Sequence, residues 1–356
     1  MMLSLSDVDD LSKRYDINRE DVLMIAMNTY GARSRMNYPR ARMLIRLRAR
    51  PDDPLRLGLP LACHRSPFEV RDDQILLGGQ AVADVEFCED DDALLGYFRK
   101  NGKVLTFNSN ARSGCTGCIF CPNSLEGASD PRLNVLDDLD TCFRMMEVEQ
   151  GWQDMAHLEE VNLVTGCFQQ ERPALDHLKL VRDALELHGF TGHLGFLSSV
   201  IRTEPSMRWL AEHVAPFHLV VTFECFTNRD AILKHSKAEL TPEQIGPILA
   251  RAKGSGIETG FTYIVGLDPI GVAIEGLGGL RDHVTRFPNF QVFQAHNDFM
   301  RRFAAPGADD VEFMLDARRR IERLFVDTPL RPQTWANYRP LWYWSFAGEE
   351  LSGERI

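Results

Sequence analysis

From Lys103 onward, short apolar runs alternate with longer stretches in which apolar residues recur at helical spacing. The runs are residues 104–108, 161–165, 193–197, 219–223, 259–265 and 290–294, each of a length that suits a buried strand. Between them, residues 174–188 place Leu175, Leu178, Val181 and Leu185 on one stripe and stop at Gly189, a natural residue for a helix end. Residues 241–253 open with Thr241 as N-cap, Pro242 and Glu243 in the first turn, carry Ile245, Ile248, Leu249 and Ala252 inward, and end at Gly254-Ser-Gly256. Strand followed by helix, repeated about six times, predicts a parallel sheet with helices outside. No G-x-G-x-x-G follows the first strand, so a dinucleotide-binding domain loses its main support and a barrel is favoured.

The flanks read differently. Residues 1–50 are expected to be helical, with Ser6 and Asn18 as N-caps and Val22, Ile25, Ala26 and Tyr30 at helical spacing. Arg40, Arg42, Arg46, Arg48 and Arg50 then read as a solvated helix face paired with nearby acids. Between Pro51 and Asp92 the chain breaks into turns and β-like runs, Gln74 to Gly78 and Val82 to Phe87, which suggest a small hairpin element. Residues 309–325 form a last helix, and the tail gathers Trp335, Tyr338, Trp342, Tyr343, Trp344 and Phe346, a cluster expected to pack on the barrel. The expected fold class is therefore α/β: a partial (β/α)6 TIM-like barrel over 100–300, a helical and hairpin extension over 1–99, and a helical, aromatic-rich tail over 301–356.

Composition narrows the partners. The 356 residues carry 40 basic and 51 acidic side chains, a formal charge of −11, so the surface as a whole repels polyanions. Nucleic acid and anionic membranes are excluded as expected partners, and a small-molecule substrate is favoured. No apolar run approaches the length of a membrane span, and the first residues mix Asp, Arg and Glu, so a cytoplasmic protein without signal peptide is expected.

Of the 8 cysteines, three crowd into one segment, Ser113-Gly-Cys115-Thr-Gly-Cys118-Ile-Phe-Cys121-Pro122, directly after the first strand. Thiols at this C-x2-C-x2-C spacing, in a loop opened by Gly114 and Gly117, can wrap one inorganic centre, as the same run does for iron–sulfur clusters. A structural zinc wants four ligands and commonly a second pair, which is missing; a redox pair needs two cysteines rather than three; three coincidental core cysteines would sit among fewer polar neighbours. A [4Fe–4S] cluster held by three thiolates leaves one iron open, which favours a catalyst over an electron carrier. The loop leaves the C-terminal end of its strand, where barrel chemistry sits. At the other strand ends stand Thr165, Gly166 and Cys167; Ser198 and Ser199; Glu224; Gly266; and His296, Asn297 and Asp298.

On these residues the sequence resembles the radical S-adenosylmethionine superfamily, in layout the branch of biotin synthase and the aromatic-amino-acid lyases. The resemblance covers roughly residues 100–300. The family's C-x3-C-x2-C hallmark carries an aromatic before its last cysteine, as Phe120 stands here, while the first gap, Cys115-Thr-Gly-Cys118, is one residue short. The resemblance implies that Cys115, Cys118 and Cys121 ligate the cluster. It implies cofactor contacts from Phe120, from Thr165 and Gly166 to the methionyl amino group, from Glu224 to the ribose, and from Ile264 and Gly266 to adenine, with Ser198 beside them.

It further implies S-adenosylmethionine as cofactor, an electron donor such as a flavodoxin or ferredoxin, and reductive cleavage to a 5′-deoxyadenosyl radical that abstracts hydrogen from a small polar metabolite, such as an amino acid or derivative, in a biosynthetic pathway. Cys167 and Cys225, at strand ends, are candidate hydrogen-atom donors, and His296, Asn297 and Asp298 candidate substrate contacts. Cys63, Cys88 and Cys142 read as structural. The alternative is a non-catalytic iron–sulfur or zinc protein on an α/β scaffold.

Overall fold

The computed structural model describes residues 3–37, 39–61, 63–90, 96–109, 117–121, 133–164 and 168–356. Two helices open the chain, α1 (Leu5–Tyr15) and α2 (Arg19–Tyr30). Asn18 caps α2 as expected, but α1 is capped by Ser4 rather than Ser6: the Ser4 hydroxyl accepts from Asp7 N while the Asp7 carboxylate accepts from Ser4 N.

Helix ends at Tyr30, and the expectation of helix to residue 50 is wrong. Six strands come next: β1 (Arg33–Ser34), β2 (Arg40–Leu47), β3 (Arg50–Pro60), β4 (Phe68–Arg71), β5 (Gln74–Leu77) and β6 (Gln80–Asp90), joined in the order β1-β4-β5-β6-β2-β3. The arginine-rich stretch is therefore strand β2 with Arg40, Arg42 and Arg46, the turn at Arg48 and the start of β3 at Arg50, not a helix face, although Arg46, Arg48 and Arg50 do pair with acids, Glu86, Asp84 and Asp53. Ala41, Met43, Ile45 and Leu47 alternate on its buried face, a period of two that only a strand satisfies. Arg40 and Arg42 are themselves 6% and 4% exposed. The hairpin element is correspondingly larger, a six-stranded sheet built on long antiparallel pairs of β2 with β3 and β6.

The second sheet holds β7 (Gly96–Arg99), β8 (Val104–Phe107), β9 (Glu160–Leu163), β10 (His193–Ser198), β11 (Phe217–Glu224), β12 (Glu258–Val265) and β13 (Asn289–Val292) in strict sequential order. β7 runs antiparallel to β8; every later pairing is parallel. The crossovers carry α3 (Leu136–Gln150), α4 (Glu171–Leu187), α5 (Glu204–His213), the short α6 (Arg229–Ile232) and α7 (His235–Ala238) followed by α8 (Pro242–Gly254), and α9 (Ile270–Gly278). The single-turn α10 (Asp298–Arg301) and then α11 (Val311–Phe325) follow β13. Because parallel neighbours are always consecutive, right-handed crossovers put all helices on one face, and the sheet curls into a partial (β/α)6 barrel. All six expected parallel strands are present.

The curled sheet leaves a gap between its edge strands β13 and β7, and the tail fills it. Val292 N donates to Arg339 O at 2.9 Å and Asn337 Nδ2 to Phe290 O at 2.7 Å, so residues 337–339 lie along β13. On the other side Arg99 of β7 donates to Trp335 O at 3.3 Å and to Ala336 O, and the Tyr97 and Tyr338 rings lie 5.2 Å apart. Asp21 of α2 anchors residues 343–345: its fully buried carboxylate accepts from Tyr343 N, Trp344 N, Ser345 N and Ser345 Oγ at 2.6–3.1 Å and faces Arg318 Nη1 at 3.2 Å. The tail ends in the two-residue strands β14 (Ser345–Phe346) and β15 (Glu349–Glu350). Phe287, Phe290 and Phe325 pack their rings against Trp342 or one another, as the aromatic tail leads one to expect.

Candidate active site

Alternation along parallel strands decides what faces the inside. Registers place Thr106, Asn162, Gly195 and His218 side by side across β8, β9, β10 and β11, and place Val220 beside Gly260 and Thr222 beside Thr262. All of these positions but Gly195 line a cavity of about 810 Å³ that runs from the cysteine loop down to the tail. That volume lies in the range of roughly 300–1,000 Å³ usual for ligand sites.

At the strands' N-terminal ends the cavity has a charged floor. Arg286 donates to Glu160 and Glu258, the first residues of β9 and β12, with both N–O distances 2.5 Å. Asn162 Nδ2 donates to Glu160 Oε1 at 2.7 Å. His218 stands above this floor, 8% exposed, with both ring nitrogens unpartnered among the described residues. Burial first, then Arg286 and His193, push its pKa well below the usual histidine value, so the imidazole is neutral.

At the opposite end, Cys118 and Cys121 stand over the mouth. Cys118 is buried against Phe120, Cys225, Ile264 and Phe293. The loop is tied down by backbone bonds, Ile119 N to Ile232 O and Cys121 N to Cys118 O, both 2.9 Å. Lys234 N donates to Cys118 Sγ at 3.4 Å. Burial raises the Cys118 pKa, while Lys237, the Lys234 N–H and the Lys234 charge act to lower it. Lys237 is itself held protonated, its pKa pushed up by Glu224, Cys118 and Cys121 against the opposing effect of burial.

Glu224 stands at the mouth, between the cysteine loop and the cavity. Its carboxylate pairs with Lys237 Nζ and accepts from Thr262 Oγ1 at 3.1 Å. Its backbone sits at φ +69°, where the β11–β12 register shifts, a left-handed conformation that a glutamate adopts only when its surroundings impose it. Just beyond, the Asp268 carboxylate latches the two strand ends together, accepting from Phe226 N, Thr227 N, Thr227 Oγ1 and Tyr263 Oη at 2.5–2.8 Å.

Of the strand-end and loop residues singled out in the sequence, Cys118, Phe120, Cys121, Ser198, Ser199, Glu224 and Ile264 line this one cavity. Ser198 Oγ also accepts from Val200 N and Ile201 N, at 3.1 and 3.3 Å. Cys115, Thr165, Gly166 and Cys167 lie outside the described residues. The lining does not include Cys225, Gly266, His296, Asn297 or Asp298. Cys225 is fully buried in the small apolar cluster under the cysteine loop, and burial drives its pKa strongly up, so it is a protonated thiol. Gly266, at φ +111°, leaves room for Met314 and Phe293, each 3.1 Å from where a Cβ would stand. Asn297 caps α10, its Oδ1 accepting from Met300 N at 2.9 Å, and Asp298 is exposed and paired with Arg301.

Sequence reading missed the floor, Glu160, Asn162, His218 and Arg286, and, of the tail wall, Arg339, while Trp335, Tyr338 and Trp342 of that wall were singled out only as packing residues. For Glu160, Asn162 and His218 the signal was the alternate polar positions of the strands, such as Glu160-x-Asn162 and His218-x-x-x-Thr222-x-Glu224, whereas Arg286 and Arg339 lie outside the strands and carried none. Among the described residues no group of three or more His, Cys, Asp or Glu is arranged to hold a metal ion. The two described cysteines of the loop nonetheless fit an iron–sulfur centre by donor chemistry: soft thiols, an N–H aimed at sulfur, and two ammonium groups to balance thiolate charge.

No family model matches the chain, and none of the curated proteins does. Solved structures do resemble it. SuiB of Streptococcus suis bound to S-adenosylmethionine aligns at TM-score 0.42 and 11% identity, over 65% of this chain and 51% of SuiB. The FeFe-hydrogenase maturase HydG from Carboxydothermus hydrogenoformans aligns at TM-score 0.41 and 12% identity, over 65% of this chain and 55% of HydG. A radical SAM methyltransferase from Sphaerobacter thermophilus aligns at TM-score 0.44 and 14% identity, over 92% of this chain and 93% of that one. The chain thus spans about half the length of the first two.

Proposed function

We propose that the protein is a radical S-adenosylmethionine enzyme whose [4Fe–4S] cluster is held by Cys115, Cys118 and Cys121 and whose substrate is a small molecule bound in the barrel. The observation that carries this is the placement of Cys118 and Cys121, from a C-x2-C-x2-C loop following β8, over the barrel cavity beside the Glu224–Lys237 pair. When bound, the cluster and S-adenosylmethionine supply reductive cleavage of the sulfonium to methionine and a 5′-deoxyadenosyl radical.

The chain's own residues do the rest. Lys234 and Lys237 offset the charge of the thiolates and keep that charge tolerable in a buried loop. Glu224, with one oxygen on Lys237 and the other on Thr262 Oγ1, retains lone pairs for ribose hydroxyls. Ile264 and Phe120 give an apolar wall of the kind an adenine ring packs on. The tail wall and the floor exclude water, which protects a reactive intermediate from side reactions. Among the described residues no helix is long and apolar enough to cross a membrane.

Anaerobic reconstitution with iron and sulfide tests the proposal. The reading expects bound iron and sulfide with absorbance near roughly 400 nm, lost in Cys118→Ala and Cys121→Ala and kept in Cys63→Ala. A wild-type protein that takes up no iron, or that keeps it after both loop substitutions, refutes it.

A further inference from the structure

The least satisfied polar group in the cavity is His218. Unpaired buried donors and acceptors are rare, because each forfeits the hydration it had in the unfolded chain. His218 has two, Nδ1 and Nε2, and lines the cavity beneath the proposed cofactor site. The sheet is cut to fit it. Gly260 stands beside the ring, where a Cβ would come within 3.1 Å of Nε2. In the same layer Gly195 makes room for Asn162, whose Oδ1 lies 2.0 Å from where a Gly195 Cβ would be.

We propose that this layer, Thr106, Asn162 and His218 facing the cavity across β8, β9 and β11, is the substrate-recognition point, and that it takes an uncharged group able both to donate and to accept a hydrogen bond: a hydroxyl or a carboxamide. A neutral imidazole offers a donor on one nitrogen and an acceptor on the other, pointing apart, so each is met separately, and a hydroxyl or carboxamide can meet either of them. A carboxylate pairs only with the N–H and would face the floor, where one arginine stands among two glutamates. An ammonium pairs only with the acceptor nitrogen. The assignment of this layer to a substrate rests on the proposed function, since it is the space beneath the cofactor that makes the occupant a reactant.

Isotope-labelled histidine in the full-length chain reports on it directly, with His218 among 10 histidines assigned by substitution. The protein is titrated with acetamide and ethylene glycol, and separately with acetate and methylammonium, before and after reconstitution with iron and sulfide. The expected result is a saturable shift of the His218 ring signals with the two uncharged probes, in both forms of the protein, and none with the charged pair. Acetamide binding should weaken roughly tenfold in His218→Phe, the loss of about one hydrogen bond, and partly recover in His218→Gln. Gly260→Ala, which crowds Nε2 without removing the ring, should weaken it as well. Unmoved His218 signals, or an equal shift with acetate or methylammonium, overturn the inference. A shift in a protein that takes up no iron would keep the binding layer while refuting the radical enzyme, so the two failures are distinct.

Discussion

Lys237 and Glu224 form an ion pair whose side chains are 17% and 7% exposed, between the cysteine loop and the cavity. Removing one partner strands the other charge in a low-dielectric site, which typically costs about 3–5 kcal/mol. Lys237→Met should therefore unfold at markedly lower denaturant concentration than wild type, and Lys237→Met/Glu224→Gln should recover much of the loss. Equilibrium denaturation of wild type, Lys237→Met, Glu224→Gln and the double variant gives the coupling energy; additivity would mean that the two groups do not interact.

His177 sets a pH dependence. Buried on α4 with Nε2 2.6 Å from Ser109 Oγ, it has its pKa lowered by burial to about 4. The unfolded chain, with histidine near about 6.5, then binds more protons than the fold between those values, so stability falls as pH drops through that window. The full shift corresponds to about 3 kcal/mol. His177→Gln should flatten the slope of stability against pH between about 6.5 and 4 relative to wild type. Identical slopes by denaturant titration would contradict this.

Asp21 predicts the behaviour of the tail. Its carboxylate collects three backbone N–H groups and a hydroxyl from residues 343–345 and sits against Arg318. Asp21→Ala should cost about 3–5 kcal/mol and make the segment from Trp335 onward cleavable by protease under conditions where wild type resists. Because that segment walls the cavity, ligand protection against cleavage should fall with it.

Much of the barrel was legible because its helix-facing side is made of unbroken apolar positions: Leu219, Val221 and Phe223 on β11 and Phe261, Tyr263 and Val265 on β12 announce a buried parallel sheet. The cysteine loop was legible for a different reason, since three thiols within one turn-rich segment have few other uses. The arginine stretch misled because charge was weighed above period: Ala41, Met43, Ile45 and Leu47 alternate, and tertiary packing buries Arg40 and Arg42. Arg42 stacks over the Tyr97 and Tyr338 rings at 5.1 and 5.9 Å, a neighbourhood made only when three distant segments meet. The floor was hidden for the same reason, because Arg286 is 126 positions from Glu160 and acts only through the fold.

Formation of 5′-deoxyadenosine from S-adenosylmethionine, by the reconstituted full-length protein under dithionite and without oxygen, tests the central claim most directly. The account predicts formation that depends on dithionite, scales with bound iron and disappears in Cys118→Ala and Cys121→Ala. Iron-loaded protein that binds S-adenosylmethionine but releases no 5′-deoxyadenosine above the level of the cysteine variants would contradict it.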